Sequence, residues 1–290
     1  MVKSGIKKLV EHIEKLPTLP IIIQEILKKL EDPEVTPQEI NNLVQHDQAF
    51  LSKILRLVNS AFYGFSGKIS TVTQAIIILG FNTIKSLALS TTVFDRFKMT
   101  NTSTEIKEII NLNLFWQHSI GVGVCSRMIA QRMRLEKEQE EVFVSGILHD
   151  LGKIIMIEYA RKDYEDVIKA IKENNYLDFE AEESVFGFNH SDVGMWLAKH
   201  WKLPLSLEYS IHYHHKPEEA KEFFIFPAIV HISDIIIYSQ KIGLKEGRIP
   251  PLSEIAWKMT GLSKTDIEYI VMNLSNELKK AELFHLLVNA

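Results

Sequence analysis

Almost every segment of this chain repeats its apolar residues at helical spacing, and no run alternates convincingly with a period of two. That one property confines the fold to the all-α class. In "IIIQEILKKL", residues 21–30, Ile22, Ile23, Ile26, Leu27 and Leu30 line one helical face. "TPQEI" then looks like a helix start, with Thr36 as cap, Pro37 at the first position and Glu39 at the third. "AFLSKILRLVNSAF" repeats the pattern, and Asp47 stands just before it, where a carboxylate caps a helix. Residues 69–94 carry two more helical stretches broken at Gly80, and "KMTNTSTE", residues 98–105, is a polar boundary.

The expected organisation is therefore two helical lobes, 1–104 and 105–245, with C-terminal helices in 246–290 packing on the second. A chain of 290 residues, 46% of them apolar, can bury a real core. Its net charge of −4 does not suit a nucleic-acid or anionic-membrane binder. The longest apolar tract, "FFIFPAIVHISDIII", is interrupted by Pro227, His231 and Asp234 and is too short and polar to span a bilayer. One cysteine, Cys125, allows no internal disulfide. With a charged N-terminal stretch that holds no apolar core, this leads us to expect a cytoplasmic protein.

The chemistry concentrates between residues 115 and 235. His118, His149, Asp150, His190, His214, His215 and Asp234 each fall in or beside an apolar helical stretch. Buried charge is costly unless it is paired or binds a metal. Asp234, flanked by Ile232, Ile235, Ile236 and Ile237, has two readings: a metal ligand, or a carboxylate paired with His231 one turn away. His118 shares a face with Val122, Cys125 and Ile129, as a satisfied core histidine also would. His149 and Asp150 are adjacent, so on a continuous helix they diverge by about 100°. Asp150 could bridge two ions with its two oxygens. Lys153 would lie one turn beyond His149, either to neutralise a phosphate or to snorkel to the surface. Imidazole and carboxylate together suit Zn, Fe or Mn better than Ca.

The order His118, His149-Asp150, Asp234 resembles the H…HD…D signature of the HD superfamily of metal-dependent phosphohydrolases. His190 and His214-His215 resemble the larger ligand set of its dinuclear members. "LPTLP" (16–20), "HDQAFLSKILRLVNSAFYGF" (46–65), "VTQAIIILGFNTIKSLALS" (72–90), "NHSDVGMWLAKHWKLP" (189–204) and "HHKP" (214–217) are similar to the HDOD family, the HD-related output domain. That resemblance implies an HD-type helical bundle in the second lobe. It also implies a bacterial signalling module with a signalling protein partner. Many members of the family lack the ligands and are regarded as non-catalytic, whereas this chain keeps them all. The implied cofactor is one or two divalent ions.

The alternative function is a dinuclear phosphohydrolase acting on a phosphomonoester, nucleotide or cyclic dinucleotide, with Asp150 and Lys153 as catalytic residues. The related HD-GYP pattern is absent, because "KPEEAKEFFIF" follows His215 and Leu114 stands where some of those proteins carry an acidic ligand. By the same resemblance His46-Asp47 is incidental, with Asp47 a helix cap.

Overall fold

The computed structural model describes residues 18–97, 109–243 and 248–289. The described residues form helices and connecting turns and contain no strand. The fold is all-α, as the periodicity requires. The described residues divide into two compact units, one within Leu19–Asn101 and Met272–Ala290, the other within Thr102–Val271.

The first unit begins with α1 (Ile21–Lys29), α2 (Pro37–Val44), α3 (Gln48–Val58), α4 (Val72–Leu79) and α5 (Phe81–Arg96). Local chemistry starts these helices where expected. The Thr36 hydroxyl accepts the Glu39 N–H, while the Thr36 N–H donates to the Glu39 carboxylate, so two orphan donors of α2 are satisfied. The Asp47 carboxylate accepts the Phe50 N–H at 2.9 Å and caps α3. Gly80 ends α4 and opens α5 at φ 85°, a conformation that strains any side chain.

The second unit contains α6 (Leu112–Arg132), α7 (Gln139–Leu148), α8 (Leu151–Tyr159), α9 (Arg161–Asn174), α10 (Asp178–Phe186), α11 (His190–His200), α12 (Leu205–Tyr213) and α13 (Ile225–Ser239), followed by α14 (Glu254–Thr260). Helices α15 (Lys264–Lys280) and α16 (Glu282–Asn289) complete the described chain. Glycines let two helix pairs approach to backbone contact. A Cβ on Gly146 would lie 2.7 Å from Gly123 Cα, so α6 and α7 cross with no side chain between them. A Cβ on Gly152 would lie 2.0 Å from the His190 carbonyl oxygen, which seats the start of α8 on the start of α11.

The expected lobe limits at 104/105 and 245/246 both lie outside the described residues. The stretch from Met272 groups with the N-terminal helices. Aromatic packing explains this, because buried Phe284 meets Phe62 and Phe94 edge-on at 5.3 and 6.5 Å.

Candidate metal centre

The local backbone departs from a continuous helix at the point that matters most. His149 ends α7 and Asp150 precedes α8, in a turn rather than within one helix. The two side chains are therefore not bound to a fixed 100° divergence. Asp150 occupies the N-cap position of α8, yet its carboxylate makes no capping bond. It turns inward and is 3% exposed, while His149 is fully buried.

Two histidine groups meet this one carboxylate. On the Oδ2 side, His149 Nε2 lies at 3.5 Å and His118 Nε2 at 3.9 Å. On the Oδ1 side, His190 Nε2 lies at 3.1 Å and His214 Nε2 at 3.9 Å. Asp234 Oδ1 adds to the first group, 3.0 Å from His118 Nε2 and 3.9 Å from His149 Nε2. His215 Nε2 adds to the second, 2.9 Å from His190 Nε2, with its ring stacked on Phe179. All seven residues singled out as ligands in the sequence thus converge. Asp234 faces His118, whereas His231 donates from Nδ1 to the His214 carbonyl and accepts the Ser253 N–H at Nε2.

The donor atoms fit divalent cations. His118, His149 and Asp150 form one cluster and Asp150, His190, His214 and His215 another, each with one donor atom per residue within 4.8 Å of the others. Ligand bonds of about 2.0–2.3 Å hold donors of one ion at roughly that spread. His118 Nε2, His149 Nε2, Asp150 Oδ1 and Asp234 Oδ1 are buried and, apart from these close ion-pair contacts, make no hydrogen bond among the described residues. Polar atoms buried this deeply are normally paired, so four such atoms in one place mark a point where something else binds.

Three of the ring nitrogens pointing away from the centre are held. His149 Nδ1 donates to the Gly146 carbonyl at 2.7 Å and His214 Nδ1 to the Ile211 carbonyl at 2.8 Å. Those bonds select the tautomer that leaves Nε2 free to ligate. His190 Nδ1 contacts the Glu182 carboxylate at 2.6 Å, and that same carboxylate oxygen accepts the His190 backbone N–H at 2.8 Å. Tyr164 donates its hydroxyl to the other Glu182 oxygen at 3.1 Å.

The electrostatics divide the histidines. Burial keeps His149 below its usual pKa. Burial, reinforced by the neighbouring imidazoles, holds His214 and His215 well below theirs. All three rest neutral, the form that binds metal. Burial also pulls on His190, but Glu182 and Asp150 together outweigh it and raise the imidazole to about 9. A cation on that side would have to displace a proton. Burial pushes Asp150 up, but His149, Lys153 and His190 overcome it and hold the carboxylate well below its ordinary range.

Lys153 is not a snorkelling surface residue. Its side chain is 8% exposed, and Nζ donates to Asp150 Oδ2 and Asp178 Oδ2, both at 2.9 Å. These carboxylates outweigh burial and hold its ammonium well above the usual pKa. Beside the centre lies a cavity of about 300 Å³, reached by His118, Asp150, Lys153 and Tyr238 and otherwise lined largely by apolar side chains.

Sequence reasoning missed Glu182, Tyr164 and Asp178. Glu182 is one of several acids in α10, and nothing in "DFEAEESVF" marks it as the one turned inward.

The HDOD domain model matches residues 16–217, more than two thirds of the chain, and the protein belongs to that family. An HDOD domain protein of unknown function from Geobacter sulfurreducens is 27% identical with a TM-score of 0.76, over 99% of this chain and 98% of that one. A Shewanella amazonensis SB2B protein whose name proposes a phosphohydrolase is 21% identical with a TM-score of 0.73, over 97% and 98% of the two chains. A second protein of that organism, whose name proposes a metal-dependent phosphohydrolase, is 17% identical with a TM-score of 0.68, over 97% of each chain. These two likenesses establish the fold. An uncharacterized protein of Treponema pallidum (strain Nichols) is 23% identical over 244 residues, 83% of this chain but 44% of that protein. The chain thus spans less than half the length of that curated relative. No described helix is long and apolar enough to cross a membrane.

Proposed function

We propose that this HDOD protein is a regulatory, signal-transduction module built around a centre for two divalent cations, with Fe, Mn or Zn the metals its ligands suit. The observation that carries the reading is Asp150, whose two oxygens face two separate histidine groups. His118, His149 and Asp234 would hold one ion, and His190, His214 and His215 the other. Asp150 would be shared between them. A signalling protein partner belongs to this reading through the family; nucleic acid does not, given a net charge of −4.

Elemental analysis of the purified protein tests the centre. At least one equivalent of transition metal is expected in the wild type, and Asp150→Ala should strip it. Metal below one equivalent in the wild type, or unchanged metal in Asp150→Ala, would sink the centre.

A second reading, metal-dependent phosphate-ester hydrolysis, is favoured by the cavity that meets the centre at His118, Asp150 and Lys153. Bound divalent ions would supply Lewis acidity toward water and phosphoryl oxygens. The chain's own part is then positional. Asp150 fixes the two histidine groups about one point. Lys153 uses two of its three N–H donors on Asp150 and Asp178 and has a third to offer an anionic oxygen at the cavity. Phosphate release from phosphomonoesters, nucleotides and cyclic dinucleotides, abolished in Asp150→Ala, is the expected result. A metal-loaded protein that turns over none of them leaves the regulatory reading alone.

A further inference from the structure

The cavity beside the centre has two chemically different parts. Five of its polar residues form one contact network: Lys153 bonds Asp150 and Asp178, His118 meets Asp150, and the Tyr238 ring stands edge-on to His118 at 5.1 Å. The rest of the wall is mainly hydrocarbon. Three helices each supply a polar residue and, within one to two helical turns, apolar ones. In α6, Leu114 and Phe115 precede His118; in α8, Ile157 follows Lys153; in α9, Ile168 and Ile171 follow Tyr164. The apolar lining thus lies before the polar residue in α6 and after it in α8 and α9. The apolar side chains come from separate helices, so they are not one helix's exposed stripe.

A nucleotide suits such a wall poorly. Its base edge and ribose hydroxyls would be taken from water with few groups to pair them, and unpaired buried polar groups are costly. Asn111, a polar residue of the lining, already uses its side-chain oxygen to cap α6 through the Leu114 N–H at 3.1 Å. The volume of about 300 Å³ stands at the low end for ligand pockets and calls for a small molecule.

We infer that this cavity takes a small amphiphilic phosphomonoester, its anionic head toward Lys153 and the cation centre and its alkyl or aryl group against Leu114, Phe115, Ile157, Ile168 and Ile171. The inference deepens the proposed function and rests on it for the head group's second contact. The apolar group supplies selectivity, because hydrocarbon burial gains affinity in proportion to its area.

Calorimetric titration of the full chain with hexyl phosphate, inorganic phosphate and AMP tests it, in metal-loaded and chelator-treated protein. Hexyl phosphate should bind at least about tenfold more tightly than inorganic phosphate and more tightly than AMP. In Ile168→Gln, a substitution at a half-buried site, that preference should fall below about threefold, with phosphate affinity and metal content unchanged. Equal binding of hexyl phosphate and phosphate, preference for AMP, or no binding of any probe would overturn the inference. The wild-type comparison decides this even if the variant does not fold. Loss of the cation centre shows separately, as absent metal: a hexyl preference that persists there keeps the pocket and removes the centre.

Discussion

The chain contains the dipeptide His-Asp twice, and both copies stand at the start of a helix. At Asp47 the carboxylate bonds the Phe50 N–H and is consumed as a cap, with His46 and Asp47 both exposed. At Asp150 the same local position is occupied, but the carboxylate makes no capping bond and faces four imidazoles from buried positions. What separates them is tertiary. A carboxylate offered to its own backbone is spent locally, and one withheld from it is left to bind something else.

Removing each carboxylate exposes that contrast most sharply. Asp150→Ala should reduce bound metal at least about tenfold, since Asp150 serves both histidine groups. Asp47→Ala should leave metal content untouched, and equal metal loss in both variants would erase the distinction.

The next largest effect concerns Lys153. In chelator-treated protein, Lys153→Met leaves Asp150 buried without its ammonium partner and should cost about 3 kcal/mol in urea unfolding. Metal should shrink that cost by replacing the lost positive charge. A cost below 1 kcal/mol in the metal-free protein would mean Asp150 does not depend on Lys153.

Glu182 sharpens the comparison from behind the ligands. Glu182→Gln should weaken metal binding by about 10- to 100-fold, as loss of a partner orienting a histidine ligand does. The same pair predicts a pH dependence in metal-free protein. His190 is raised to about 9 in the folded state, above the ordinary imidazole value of 6.5. Its stabilising contribution is fully present below 6.5 and lost as pH rises through about 9. Unfolding curves between pH 6 and 10 should show this decline in the wild type and a weaker one in Glu182→Gln. Equal slopes would detach His190 from Glu182.

The smallest effect lies at the exposed pair. Asp47→Ala should cost about 1 kcal/mol, the usual value of a lost helix cap, measured by denaturant unfolding. A negligible cost would mean that α3 does not need this cap.

Helices announce themselves through periodicity and caps, which is why Thr36, Pro37, Glu39, Asp47 and Gly80 all mark ends in the places their chemistry suggests. The candidate ligands were legible by a different route, as costly side chains in apolar surroundings. The break between His149 and Asp150 was hidden, because "VFVSGILHDLGKIIMI" stays apolar straight through it. Lys153 was ambiguous for a physical reason: a lysine beside apolar residues reads the same whether its head reaches water or two carboxylates. Glu182 was invisible, because acids on both faces of α10 look alike until the fold turns one inward.

The contact between Gly152 and the His190 carbonyl has a further consequence. Asp150 and His190 are forty residues apart in the chain, yet two residues after Asp150 the backbone rests directly on His190. The absent methyl group of Gly152 acts as a spacer of fixed size between two residues of the proposed centre. Gly152→Ala would work as a wedge, prising the carboxylate from the imidazole while leaving every ligand in the sequence. A chain can thus lose this centre without losing a single histidine or aspartate, and a survey of relatives that counts ligands alone would score such a protein as intact.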